Sequence, residues 1–371
     1  MAGPPRLSET TPGAMTPGAT TPGEPPPGEP TAGKQPPTPA GRATIIDVAA
    51  AAGVSRQTVT RAMNGMTGIS AATKERVLLA AEALDYRPSR FGRGLVTGGD
   101  HQLGLVVDDL RNPYSPELAA AVLGLAADRG WNVMLADVGL ASDPSRMVQA
   151  LGVQTDVVIG YLGVRAPEWI EQLGSVPVVE LDPAGTVTRA AVRIDPTEAI
   201  DALADHLVAT GVKHPVVLDA SSDGAPSHRG GLMADALRRR GYLPELVHGG
   251  EPTAAAGAAA TERLLADRRL LADRRRLDAV LAFNDVTALG VLSACRRAGV
   301  DVPGDVRVVG VDGLPLGGLV APTLTTLAVD LDSVAQQALD LALGMLAGDL
   351  PRRGPTVQRT VRHRLLVRES A

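Results

Sequence analysis

The chain has 371 residues, 44% apolar and 21% charged, with a formal net charge of −5, which suits two or three cored domains of ordinary soluble composition. Aromatics make up only 2%, so Ala, Val and Leu must build the cores, and no apolar run reaches the length of about 18 residues that a membrane span requires. A lone Cys295 excludes an internal disulfide pair and a multi-cysteine zinc site. The six histidines show no ligand spacing, so neither a metal nor a cofactor is expected. The N-terminus lacks a basic start followed by an apolar segment, which points to a cytoplasmic protein. Charge is segregated: seven basic residues against four acidic ones give residues 43–97 a net +3. The first 42 residues balance, leaving −8 for everything after 97. A basic head on an acidic body suits a polyanion contacted at one end.

Residues 1–42 read as a disordered tail, rich in Pro, Gly and Thr, with a TPG element recurring at Thr11, Thr16 and Thr21. Helical patterning begins at Thr44, where Thr44-Ile45-Ile46-Asp47 has the form of a capping box. Ile45, Val48, Ala49 and Ala52 make an apolar stripe, and Gly53 stops the helix. Ser55 is a natural N-cap for a second helix running to about Asn64-Gly65. Ser70 caps a third, with Val77, Leu78, Ala81 and Leu84 on one face, and Pro88 ends the unit. Two short capped helices around a glycine turn, with small alanines at the crossing and Val54 and Val59 inward, define a helix-turn-helix. Arg56, Gln57, Thr60 and Arg61 are its polar candidates. Gln pairs bidentately with adenine and Arg with guanine, and the first turn of the second helix is the part that reaches base edges.

Beyond Gly98 apolar strands alternate with amphipathic helices. Strands are predicted at 103–107, 131–136, 157–161, 176–180, 216–219, 279–282 and 306–311, with helices at 117–129, 145–151, 197–208, 232–240, 286–297 and 333–346. Such βα alternation implies α/β architecture with doubly wound parallel sheets, here two of them, and a ligand cleft at the carboxyl ends of the strands. A tandem repeat, Leu264–Arg269 followed by Leu270–Arg275, reads as an insertion at a helix end. The adjoining Arg274-Arg275-Arg276 run reads as solvated surface.

The chain resembles the lactose/galactose repressor family of bacterial regulators. The matching strings include Asp47-Val48-Ala49 through Val59, Arg61-Ala62-Met63-Asn64-Gly65, Leu84-Asp85-Tyr86-Arg87-Pro88, Asn112-Pro113-Tyr114, Phe283-Asn284-Asp285 and Val308-Val309-Gly310-Val311-Asp312. The resemblance implies an all-α helix-turn-helix headpiece (43–88), a hinge (89–97) and a two-lobed periplasmic-binding-protein-like domain. The lobes are expected from 101–187 with 303–328, and from 188–302 with 329–371. It further implies a DNA-contact set of Ser55, Arg56, Gln57, Thr60, Arg61 and Asn64. Leu95 would wedge into the minor groove from a hinge helix that Gly92 and Gly94 weaken.

An effector site is implied at Arg229 and Asp285, which would grip paired hydroxyls, with Tyr114 covering an apolar face. Ser115 stands where many relatives carry a second aromatic, so a sugar, a nucleoside or another small polar metabolite all remain candidate effectors. The function implied is a homodimeric repressor, not an enzyme, on near-palindromic double-stranded operator DNA, controlled by a small molecule that a carbohydrate would exemplify. No leucine heptad follows Leu366, so a dimer and not a tetramer is expected. The alternative is a solute-binding protein without a DNA role, which would have no use for residues 44–96.

Overall fold

The computed structural model describes residues 45–63, 68–84, 101–220, 225–266 and 277–371. The chain divides between Ser89 and Arg90 into two units. The expected tail, the hinge, Asn64, Leu95 and the 270–275 copy of the repeat lie outside the described residues.

The first unit is three short helices: α1 (Ile45–Ala52), α2 (Arg56–Met63) and α3 (Ala71–Ala83). Gly53 ends α1 with φ +62°, a left-handed geometry that glycine adopts without a Cβ penalty. The chain then restarts at Ser55, whose Oγ accepts the amide of Thr58 at 3.1 Å. Ser70 does the same for α3 through the Thr73 amide at 3.2 Å. The core is Val48, Ala49, Ala52, Val59, Ala62, Val77 and Ala81. Because the interior is made of small side chains, the helices need a polar tie as well. Arg76 Nε donates to the free carbonyl of Ala52 at 3.0 Å, binding α3 to the end of α1. Leu78 and Leu84, expected on the apolar face, are 43% and 38% exposed. The buried stripe of α3 is the i, i+4 pair Val77 and Ala81, and the neighbouring position lies about 100° round the helix.

The second unit holds two six-stranded sheets. The first contains β1 (His101–Val107), β2 (Trp131–Asp137), β3 (Val157–Gly160), β4 (Val178–Leu181), β5 (Ala191–Asp195) and β11 (Gln358–Arg362). Their order is β11-β5-β4-β3-β1-β2, all parallel. The second contains β6 (Pro215–Asp219), β7 (Glu245–His248), β8 (Ala279–Ala282), β9 (Arg307–Asp312), β10 (Thr325–Ala328) and β12 (Arg364–Leu366). It runs β12-β10-β9-β8-β6-β7, parallel except for the β10–β12 pair. The intervening helices are α4 (Tyr114–Ala127), α5 (Pro144–Gln154), α6 (Ala166–Leu173), α7 (Thr197–Ala209), α8 (His228–Arg239), α9 (Ala254–Ala266), α10 (Asp285–Ala298) and α11 (Leu331–Ala347).

The lobe boundaries differ from those expected. Residues 303–328 belong to the second lobe, because β9 and β10 hydrogen-bond to each other and to β8. Residues 188–195 and 331–362 belong to the first. There β5 and β11 extend the first sheet, and Val334, Leu339 and Ala342 of α11 pack with Leu103, Val157 and Val192. The chain therefore passes between lobes three times, near residues 196, 329 and 363. α6 and α9 and strands β5, β7, β10, β11 and β12 were not expected. β7 and β11 are partly exposed, with polar sequence, so they lack the continuous apolar run of a buried strand. α9 is Ala-rich with little contrast between its faces.

Candidate functional site

Two surfaces carry polar side chains that the fold itself does not consume. The first is one face of α2. At about 100° per residue, Arg56, Gln57, Thr60 and Arg61 fall within one arc of about 140°. Val59 and Ala62 are buried on the opposite side. Arg56, Gln57 and Arg61 are exposed, and Thr60 is half-buried with its hydroxyl donating back to the Arg56 carbonyl at 3.0 Å. Ser55 Oγ is engaged in the cap and shares a 2.9 Å hydrogen bond with the Thr58 hydroxyl. The helix contains no acidic residue, and its N-terminus adds a partial positive charge. Such a face offers an amide and two guanidinium groups on a rigid rod, the chemistry that reads base edges from the major groove.

The second surface is the cleft at the carboxyl ends of the strands. Tyr114, at the start of α4, pairs its hydroxyl with that of Tyr161, which follows β3, and their rings meet edge to face at 6.1 Å. Burial pushes both phenols above their ordinary range. From the second lobe comes Arg229, in the first turn of α8. Its Nη1 donates to the Phe283 carbonyl at 2.8 Å, and the guanidinium lies 5.0 Å over the Phe283 ring. α8 is fixed there by Asp219, which accepts the Ser227 amide and hydroxyl, each at 2.6 Å. Gly230 is obligatory beside it, since a Cβ would sit 2.7 Å from the Asp219 carboxylate.

The carboxylate facing Arg229 is Asp312, at the end of β9, 3.9 Å from Nη1. It is 6% exposed, with φ +117°, a left-handed strain for a non-glycine residue. Burial drives its acid up to about 7, and Arg229 pulls against that shift. Asp182, which follows β4 with φ +43°, and Asp108, which follows β1, are also raised by burial. His363, at the third crossover, is pushed down to about 4 by burial and is therefore neutral.

Asp285 does not share in this arrangement. It is 1% exposed, and its two oxygens accept the Thr326 hydroxyl at 2.6 Å and the Leu314 amide at 2.7 Å. Burial raises its acid to about 6. It links the turn after β9 to the head of α10, while the carboxylate that lies 3.9 Å from Arg229 is Asp312. Asp312, Asp182 and Tyr161, which the sequence analysis does not single out, also line this region, and each follows a run of apolar strand residues. That pattern was the available signal.

Among the described residues no group of His, Cys, Asp and Glu could hold a metal ion, and no helix is long and apolar enough to cross a membrane. A helix-turn-helix unit joined to a two-lobed, periplasmic-binding-protein-like unit defines a class of ligand-responsive transcription regulators. Comparison with known proteins agrees. Residues 44–89 match the family described as bacterial regulatory proteins, lacI family, and residues 204–371 match the periplasmic binding protein-like domain. The ribose operon repressor of Halalkalibacterium halodurans is 30% identical over 304 residues, covering 80% of this chain and 89% of its own. The transcriptional repressor CytR of Escherichia coli is 30% identical over 316 residues, covering 82% and 90%. A LacI family regulator from Arthrobacter sp. FB24, solved in complex with lactose, is 35% identical with a TM-score of 0.68, covering 74% of this chain and 100% of its own. The chain belongs to the lacI family and is a DNA-binding transcriptional regulator.

Proposed function

We propose that the chain is a homodimeric repressor that binds a near-palindromic operator through α2 and is controlled by a polyhydroxylated small molecule held between its lobes. The observation that carries this reading is the acid-free outer face of α2, with Arg56, Gln57 and Arg61 exposed on it. A solute-binding protein would have no use for that face. Arg56, Gln57 and Arg61 are the base readers, Thr60 lends its methyl group, and Ser55 sets the helix start. Asn64 and Leu95 complete the DNA-contact set.

In the cleft, Arg229 and Asp312 grip neighbouring hydroxyls, since each presents two hydrogen-bonding atoms in one plane. Tyr114 covers the ligand's apolar face. The regulator named as a lactose complex and the relative named as a ribose operon repressor make a carbohydrate the first effector to try. The protein works in the cytoplasm, on the nucleoid, and by binding alone, without turnover. Effector binding changes the angle between the lobes and so orders or releases the hinge at 89–97. The change in operator affinity equals the effector's differential affinity for the two states.

Footprinting on a duplex selected from a random library tests the DNA half of this reading. Two protected major-groove patches about one helical turn apart are expected. A single asymmetric patch would overturn the dimer. Calorimetry with mono- and disaccharides and nucleosides tests the other half, with binding expected in the wild type and lost in Arg229→Ala.

A further inference from the structure

On the opposite edge of the first sheet from the cleft, at the start of β4 and ahead of β5 and β11, lies a concavity of about 320 Å³. Its floor is apolar, made by Ile170, Pro177 and Val178, and its rim carries Arg189, Arg352 and Arg353 with no acidic lining residue. Arg189 and Arg353 face each other on an isolated antiparallel bridge, and the Ala190 amide donates to the Arg352 carbonyl at 3.2 Å. Like charges set directly opposite on paired strands repel. Glu180, wholly buried beneath, takes the Arg189 guanidinium. Among the described residues no carboxylate pairs with Arg352 or Arg353. Arg352 is nevertheless held in place, because its Nη1 donates to the Ser175 carbonyl across the concavity.

We propose that this concavity is a second ligand site, separate from the interlobe cleft, for a small organic anion bearing a carboxylate or phosphate on an apolar body. Glu180 neutralises Arg189, so an anion would supply the counter-charge that Arg352 and Arg353 lack among the described residues. Planar guanidinium forks match both anionic groups bidentately. The apolar floor selects against a bare inorganic ion, and the volume sits at the small end of known ligand pockets, about 300–1,000 Å³. The site does not depend on the effector reading, since it shares no residue with Tyr114, Arg229 or Asp312.

The chain has two tryptophans, and Trp169 lies on α6 between the lining residues Pro167 and Ile170. Full-length protein carrying Trp131→Phe therefore has one fluorophore beside the site. Titration with phenyl phosphate and with benzoate, at constant ionic strength, is expected to give a saturable change in Trp169 emission, and benzyl alcohol to give none. Affinity should fall about tenfold or more in Arg352→Gln/Arg353→Gln, fall less in Arg353→Lys, and stay unchanged in Arg229→Gln. Circular dichroism checks that each variant is folded. The proposal is overturned by no saturable change with either anion, by equal binding of benzyl alcohol, or by loss of binding in Arg229→Gln. Tighter binding of an acidic hexapeptide than of phenyl phosphate would overturn it in favour of a protein partner.

Discussion

Among its described residues the headpiece buries Val and Ala side chains and leaves Arg56, Gln57 and Arg61 in solvent. The two-lobed unit instead gathers Tyr114, Tyr161, Arg229 and Asp312 from four separated segments into a partly desolvated cleft. In the headpiece, function is surface chemistry on one short helix, and helical spacing alone decides which side chains point outward. In the cleft, the geometry is a placement of charge at low solvent access, and only the tertiary fold decides which carboxylate lies beside the arginine. Changes on α2 should therefore move DNA affinity and leave stability nearly untouched. Changes to the buried carboxylates should move stability or ligand affinity, according to whether internal donors already hold them.

The largest effect is expected at Asp285. Asp285→Ala strands the Thr326 hydroxyl and the Leu314 amide in the interior, costing about 3 kcal/mol of the two-lobed unit's stability. Asp312→Ala should cost less stability and more effector affinity. Urea unfolding and calorimetry of both variants separate the roles, and the reverse pattern would restore Asp285 as the ligand's partner. Next comes Gln57→Ala, expected to weaken operator binding by about 1–3 kcal/mol while leaving affinity for random duplex nearly unchanged. Equal losses on both in a gel-shift titration would remove Gln57 from the base-reading set.

A smaller effect follows from Asp312, raised from 3.8 to about 7. A carboxyl that is harder to ionise in the folded state binds extra protons there. Its contribution therefore makes the unliganded protein lose stability as pH climbs from 3.8 to about 7. A ligand donating hydroxyl hydrogens to the ionised form should bind about tenfold more tightly at pH 8 than at pH 6. Asp312→Asn should flatten that profile, and a profile left intact in the variant would assign the proton elsewhere. Smallest is Ser55→Ala, which removes the α2 cap and should cost about 1 kcal/mol of headpiece stability. A midpoint unchanged in thermal denaturation would show that the cap is redundant.

The same contrast explains what was legible beforehand. Helices α1 to α3 and their caps at Ser55 and Ser70 are local events, written in four-residue spacings, and the sequence reading located them. Central strands such as β1, β3 and β8 showed as continuous apolar runs because both their faces are covered. The lobe assignment of β9 and α11 was not legible. It depends on which sheet each element joins after the chain crosses between lobes, a choice made by packing and not by local pattern. Arg229 was singled out by its spacing from its helix, and it lies at the carboxyl ends of the second lobe's strands beside Phe283 and Asp312. Which carboxylate lies beside it was not legible, because Asp285 and Asp312 both follow apolar strand residues and are told apart only by their tertiary partners.

Sequence preference is expected to reside in the headpiece, and competition binding measures that directly. Full-length protein is titrated by fluorescence anisotropy against its best selected duplex and a scrambled duplex of equal length, at one fixed salt concentration. The selected duplex should bind at least about 1,000-fold more tightly, and most of that ratio should vanish in an Arg56→Ala/Gln57→Ala double variant. Equal affinity for the two duplexes in the wild-type protein would contradict the account.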